Sequence, residues 1–126
     1  MIFKKFEDIE VWKLGREVVK VVYGLTNKGP FAKDWGLKDQ MQRAAVSVTS
    51  NIAEGYARRG NKEFVQFLWI SKGSAAEVQS QLYHALDLGY VDANTFELLY
   101  NQTNVLQVKF SHLIQSLTSA LPRQKV

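Results

Sequence analysis

The chain has 126 residues, no cysteine, a formal net charge of +4 and a pI near 9.4. That length suffices for one domain with its own apolar core, and the absence of thiols excludes disulfides, thiolate metal sites and cysteine nucleophiles. No apolar run approaches the roughly 18 residues of a membrane span. At the N-terminus Lys4 and Lys5 are followed at once by acids, unlike a signal peptide, so a cytoplasmic protein without membrane association is expected.

In chain order, the periodicity predicts four helices at about 8–27, 37–58, 62–88 and 93–121. In the first, Ile9, Trp12, Val19 and Tyr23 fall on one line, with Val11, Val18, Val22 and Leu25 beside it. Its valines favour strands, but apolar residues at 18, 19, 21, 22 and 25 keep helical rather than alternating spacing. Asn27-Lys28-Gly29-Pro30 ends this helix. Asp34 is placed to cap the second helix, whose core line is Leu37, Met41, Ala44 or Ala45, Val48 and Ile52. Gly60-Asn61 breaks the pattern and Asn61 is the expected cap of the third helix. There Phe64, Phe67, Leu68, Ser71, Ala75, Val78, Leu82 and Leu86 mark the buried stripe. Asp92 or Asn94 caps the fourth, where Phe96, Leu99, Thr103, Leu106, Phe110, Leu113, Leu117 and Leu121 form a heptad line. Only Glu97 and Lys109 are charged between Ala93 and Leu121.

Four amphipathic helices joined by short turns predict an all-α fold, an up-down-up-down antiparallel four-helix bundle in a single domain. In that topology the start of the first helix, the second turn and the end of the fourth helix share one pole. It collects Lys4, Lys5, Arg58, Arg59, Lys62, Arg123 and Lys125, with Glu7, Asp8, Glu10, Glu54 and Glu63 nearby. The basic excess belongs to the first half of the chain: residues 1–62 carry 12 Lys and Arg against 7 Asp and Glu.

The densest stretch is Gln40 to Phe64. A polar stripe of Arg43, Ser47, Ser50, Asn51, Glu54 and Arg58 recurs there in helical steps, among the small residues Ala44, Ala45, Ala53 and Gly55. On the third helix Trp69, Gly73, Ala76 and Tyr83 form a second line, small residues between aromatics, that suits a helix–helix contact between subunits. Chemistry is sparse. His84 and His112 stand outside any metal-ligand spacing, and no glycine-rich phosphate loop or nucleophile elbow occurs. The expectation is no catalytic residue, no metal and no cofactor.

The segments FEDIEVW (Phe6 to Trp12), WGLKDQMQRAAVSVTSNIAEG (Trp35 to Gly55), ARRGNKEFVQFLWISKGS (Ala57 to Ser74) and LDLGY (Leu86 to Tyr90) resemble the four-helix-bundle 23S rRNA intervening-sequence proteins. The register of Gln40, Arg43, Ala44, Ala45, Ser47, Asn51, Ile52, Ala53, Glu54 and Gly55 carries the resemblance. Two departures are Gly29-Pro30-Phe31, where the family often has an aromatic-Pro step, and Ala75-Ala76, where Leu often follows the Gly-Ser pair. The resemblance implies a four-helix bundle, assembly as a homopentamer, and an unassigned biochemical role. It also implies kinship with the accessory variability determinant of diversity-generating retroelements, which binds reverse transcriptase and nucleic acid.

The functional expectation is a non-catalytic homo-oligomer that binds RNA or a ribonucleoprotein partner through its basic pole, its partner being RNA or a nucleic-acid-processing protein. Arg58, Arg59, Lys62, Lys4, Lys5 and Arg43 are the candidate nucleic-acid contacts. Trp69, Gly73, Ala76, Tyr83, Asn51 and Glu54 are the candidate subunit contacts. The alternative is a protein–protein adaptor without nucleic-acid affinity.

Overall fold

A computed structural model of the chain describes residues 3–121. Its helices are α1 (Glu10–Thr26), α2 (Trp35–Ala57), α3 (Asn61–Asp87) and α4 (Ala93–Ser119), with short 3-10 turns at Phe6–Asp8 and Gly29–Lys33. Among the described residues there is no strand. Each helix packs along its sequence neighbour, and α4 closes back on α1 across the thinnest of the four seams. This is the expected up-down-up-down bundle. Arg123 and Lys125 lie outside the described residues.

The helix ends follow local chemistry. Asp34 caps α2 by accepting from the Leu37 amide at 3.2 Å, so the helix starts two residues before the predicted position. Asp92 caps α4, accepting from the Thr95 amide at 2.7 Å. The first helix starts later than predicted because Phe6–Asp8 winds as a 3-10 turn and Ile9 is extended. The connection after α1 carries structure that periodicity could not reveal. Phe31 is fully buried in its 3-10 turn and stacks on Tyr90, ring centroids 5.0 Å apart, while the Tyr90 hydroxyl donates to Asp34 at 2.9 Å. That hydrogen bond holds the Tyr90 hydroxyl protonated above its ordinary range.

Two core lines differ from the sequence reading. On α1 the buried residues are Val11, Gly15, Val18, Val22 and Thr26, and Tyr23 is exposed. Gly15 brings α1 close to α2, with Thr49 and Val48 where a Cβ would stand. On α4 the line runs Leu99, Thr103, Leu106, Phe110 and then Ile114, not Leu113. A straight helix of 3.6 residues per turn drifts off a strict heptad, and by the fourth turn the next residue faces inward.

The α2–α3 seam is the most extensive, and the helices approach closely at Gly55. A Cβ on Gly55 would stand 2.5 Å from Cβ of Phe67. Further along, Ser71 donates to the Val48 carbonyl at 2.9 Å and Ser47 bonds Ser74, Oγ to Oγ, at 2.8 Å. Asn51 closes the set, donating to the Ser47 carbonyl at 2.8 Å and to its Oγ at 2.9 Å. Buried Ser71 and Ser74 thus have partners, as buried polar groups require. The histidines, read as boundary residues, are both exposed.

Gly55→Ala forces α2 and α3 apart and lowers unfolding free energy by about 1–3 kcal/mol, whereas Gly73→Ala, with nothing within 4 Å, is neutral or stabilises by up to about 1 kcal/mol; urea midpoints separate the two. The Asp92 carboxyl is held below its ordinary value of 3.8, chiefly by the Thr95 amide. Its contribution is therefore complete above that value and is lost as pH falls through the lowered one. Asp92→Asn, which still caps, makes the acid limb of a thermal-melt series shallower.

A candidate anion-binding cleft at one pole

The second turn must reverse the chain while α2 and α3 stay in close contact at Gly55. It does so through Arg59, the one described non-glycine residue with positive φ, at +62°. Side chains other than glycine cost about 1 kcal/mol or more in this left-handed region. Gly60 follows in an extended conformation and takes the N-cap position, accepting from the Phe64 amide at 2.9 Å. The cap therefore falls one residue before the expected Asn61, which becomes the first residue of α3. No side chain caps that end, so its first amides remain available to an acceptor.

Across from the turn lies the start of the chain. The Tyr56 hydroxyl donates to the Phe3 carbonyl at 2.7 Å, and the Tyr56 ring meets Phe64 edge-on at 6.1 Å. Phe6 packs edge-on to Trp12 at 5.2 Å. These contacts fix the segment between them, and Lys4 and Lys5 with it. An open cleft of about 780 Å³ results, lined by Lys4, Lys5, Glu7, Tyr56, Arg59 and Asn61 among others. It holds three cations and one carboxylate, and none of the three is ion-paired among the described residues.

The remaining candidate contacts fall elsewhere. Arg58 donates to Glu54 at 3.1 Å and its guanidinium lies 5.3 Å over the Phe67 ring. Lys62 is exposed on the first turn of α3, beside the cleft but not lining it. Arg43 pairs with Asp39 at 2.9 Å and stands roughly 22 Å along α2 from Arg58, at 1.5 Å per residue. The structure does not bring Arg43 to the pole.

The candidate subunit contacts also divide. Trp69 (53% exposed), Gly73 and Ala76 lie on the outward face of α3. Tyr83 (49% exposed) packs edge-on against Phe96 at 4.9 Å and Tyr100 at 6.0 Å. Asn51 is committed to the α2–α3 seam, and Glu54 to Arg58. Tyr56, which organises the cleft, was not singled out by the sequence reading. Its only trace there is an aromatic residue one step past the small-residue string, where nothing signals a bond to a carbonyl 53 positions earlier. Among the described residues, no three His, Cys, Asp or Glu side chains gather to hold a metal ion, and no helix is long and apolar enough to cross a membrane.

Residues 7–112 match the family described as 23S rRNA-intervening sequence protein. The chain belongs to this family. A solved structure of a protein with unknown function, from the S23 ribosomal protein family of Bacteroides thetaiotaomicron, aligns with a TM-score of 0.75 at 20% identity. The alignment covers 83% of this chain and 95% of that one. At that identity the likeness carries the fold alone. No curated protein matches the chain. The family is of unknown function, and nothing in these likenesses indicates catalysis. Within the cleft, Tyr56, Arg59 and Asn61 lie inside the family segment, whereas Lys4 and Lys5 precede it.

Tyr56→Phe removes the bond to Phe3 and costs about 1 kcal/mol. The measurable outcome is faster amide exchange at residues 4–8, with little change in the centre of α2.

Proposed function

We propose that the chain is a non-catalytic homo-oligomeric module that binds RNA, free or in a ribonucleoprotein, through the phosphates of its backbone at the polar cleft. The observation that carries this reading is the convergence of Lys4, Lys5 and Arg59 on one open concavity, none of them ion-paired among the described residues. An arginine held in left-handed backbone next to a glycine supports it. Glycine at that position would relieve the strain but supply no charge. The contacts are to backbone charge, so binding is sequence-independent and salt-sensitive. A cleft with three cations is weak by itself, and several copies in one assembly raise its effect through multivalency.

The test is retention of a single-stranded RNA at low salt. The parent binds with a log–log salt slope of about −2, as expected for three phosphate contacts on a single strand. Lys4→Glu/Lys5→Glu/Arg59→Glu abolishes retention. The same charge change at the opposite pole, Lys28→Glu/Lys33→Glu/Lys38→Glu, leaves most of it. Arg59→Gly separates strain from charge: it stabilises the fold by about 1 kcal/mol and weakens RNA binding. A parent that retains no RNA, or a cleft variant that retains as much, overturns the reading and leaves the Trp69 face of α3 as the contact for a protein partner.

A further inference from the structure

The cleft at the pole contains one group for which a site built on phosphate charge alone has no use. Glu7 is the one carboxylate among its described lining residues, on a wall shared with Lys4, Lys5 and Phe6. It is half-buried and forms no ion pair among the described residues. Its place in the fold does not call for an acid either. Glu7 lies in the three-residue 3-10 turn Phe6–Asp8, too short to build a macrodipole that a carboxylate would neutralise. The next acid, Asp8, is exposed and lines a separate cleft with Glu10, Lys109 and His112.

The chemistry of a nucleic-acid strand limits what such a carboxylate can meet. An ionised carboxylate accepts hydrogen bonds and donates none. Phosphate and sugar-ring oxygens are acceptors as well, and the phosphates repel it. Outside its bases, RNA offers one kind of donor, the ribose 2′-hydroxyl, and DNA lacks it. We infer that Glu7 accepts a hydrogen bond from a ribose 2′-hydroxyl in the cleft and is the residue by which this protein selects RNA over DNA. This rests on the RNA reading of the cleft and narrows its substrate class to a ribose-bearing strand. It stays independent of base sequence, because every ribonucleotide carries the same hydroxyl.

The layout of the cleft suits that contact. The 2′-hydroxyl sits on the carbon next to the one bearing the 3′-phosphate, so a site that reads it needs an acceptor beside a cation. Lys5 and Glu7 are two positions apart, with Cα atoms within about 7 Å of each other. Arg59 supplies a further cation from the turn between α2 and α3. The volume of about 780 Å³ falls in the range of pockets that enclose a small organic ligand, and so admits a nucleotide unit. Ala53, Tyr56 and Ala57 give the cleft apolar surface, against which a sugar or a base face can rest without its edge being read. Asn61, the other polar lining residue, both donates and accepts, so it does not oppose a phosphate as Glu7 does. The wall carrying Glu7 is held in advance by the Tyr56 hydroxyl on the Phe3 carbonyl and by Phe6 against Trp12.

Selection then has an attractive and a repulsive part, as specificity between close analogues requires. With RNA, a charge-assisted hydrogen bond offsets the repulsion between Glu7 and the neighbouring phosphates. With DNA the repulsion stands alone. Removing the carboxylate therefore raises affinity for DNA more than it lowers affinity for RNA.

The experiment measures fluorescence anisotropy at low salt with a short oligoadenylate, its deoxy counterpart and its 2′-O-methyl counterpart, and repeats the set with oligouridylate. The parent binds the ribose strand about 10-fold more tightly than the other two, the weight of one hydrogen bond to a charged group. Glu7→Ala brings the three strands together, chiefly by tighter binding of the deoxy strand. Glu63→Ala removes the same charge from an exposed position on the first turn of α3 and leaves the ribose preference intact. If circular dichroism shows Glu7→Ala to be misfolded, Glu7→Gln, which keeps the size of the side chain, takes its place and also lowers the preference. A parent that binds all three strands alike, a Glu7 variant that keeps the ribose preference, or a preference that follows the base instead of the sugar overturns the role of Glu7 and leaves the RNA cleft standing. A parent that binds no ribose strand overturns the cleft reading, and the role of Glu7 with it.

Discussion

The close approach of α2 to α3 is the constraint on which the rest of the structure depends. Gly55 leaves no space for a Cβ beside Phe67, and Ser47, Asn51, Ser71 and Ser74 replace apolar filling with hydrogen bonds across and along the seam. Once the two helices are held at this distance, the turn joining them has little freedom. It reverses the chain within a few residues, placing Arg59 in left-handed backbone and Gly60 at the cap of α3. The cleft at this pole is thus a consequence of packing further down the bundle.

The same constraint sorts the polar stripe of α2 into two roles. Ser47 and Asn51 turn toward α3 and are spent on the seam. Asp39, Arg43, Glu54 and Arg58 remain on the outer surface and neutralise one another in pairs. Exposed pairs of this kind add little stability. The cations at the pole behave differently. Lys4, Lys5 and Arg59 face a shared concavity in which Glu7 is the one carboxylate among the described lining residues, and a field concentrated in a concave site attracts anions more effectively than the same charges spread over a convex surface.

Family membership and fold agree without assigning an activity. The family segment spans most of all four helices, and the aligned structure keeps the bundle at 20% identity, as expected when fold is held by patterning and site chemistry by a few residues. The cleft straddles the edge of that segment: its turn lies inside and its lysines outside. Two of its three cations, Lys4 and Lys5, lie outside the matched segment, and the third, Arg59, lies within it.

Much of the architecture was legible in the sequence because helical periodicity, capping residues and turn residues are local signals. The spacing of Met41, Val48 and Ile52, or of Leu99, Leu106 and Phe110, marks a buried face without knowledge of what it meets, and Asp34 and Asp92 announce helix starts. The topology of four short-linked helices also sufficed to bring the N-terminus and the second turn to one pole. What the local pattern could not supply were pairings between residues far apart in the chain. Tyr56 with Phe3, Tyr90 with Asp34 and Phe31, and Ser74 with Ser47 depend on where two elements meet, and no periodicity encodes that. The same holds for the cations. Composition counted them together, but only tertiary structure separated Arg58 and Arg43, each bonded to a carboxylate one turn away, from Lys4, Lys5 and Arg59, which share a cleft. Charge is a property of the residue, whereas its availability to a ligand is set by the neighbours that folding provides.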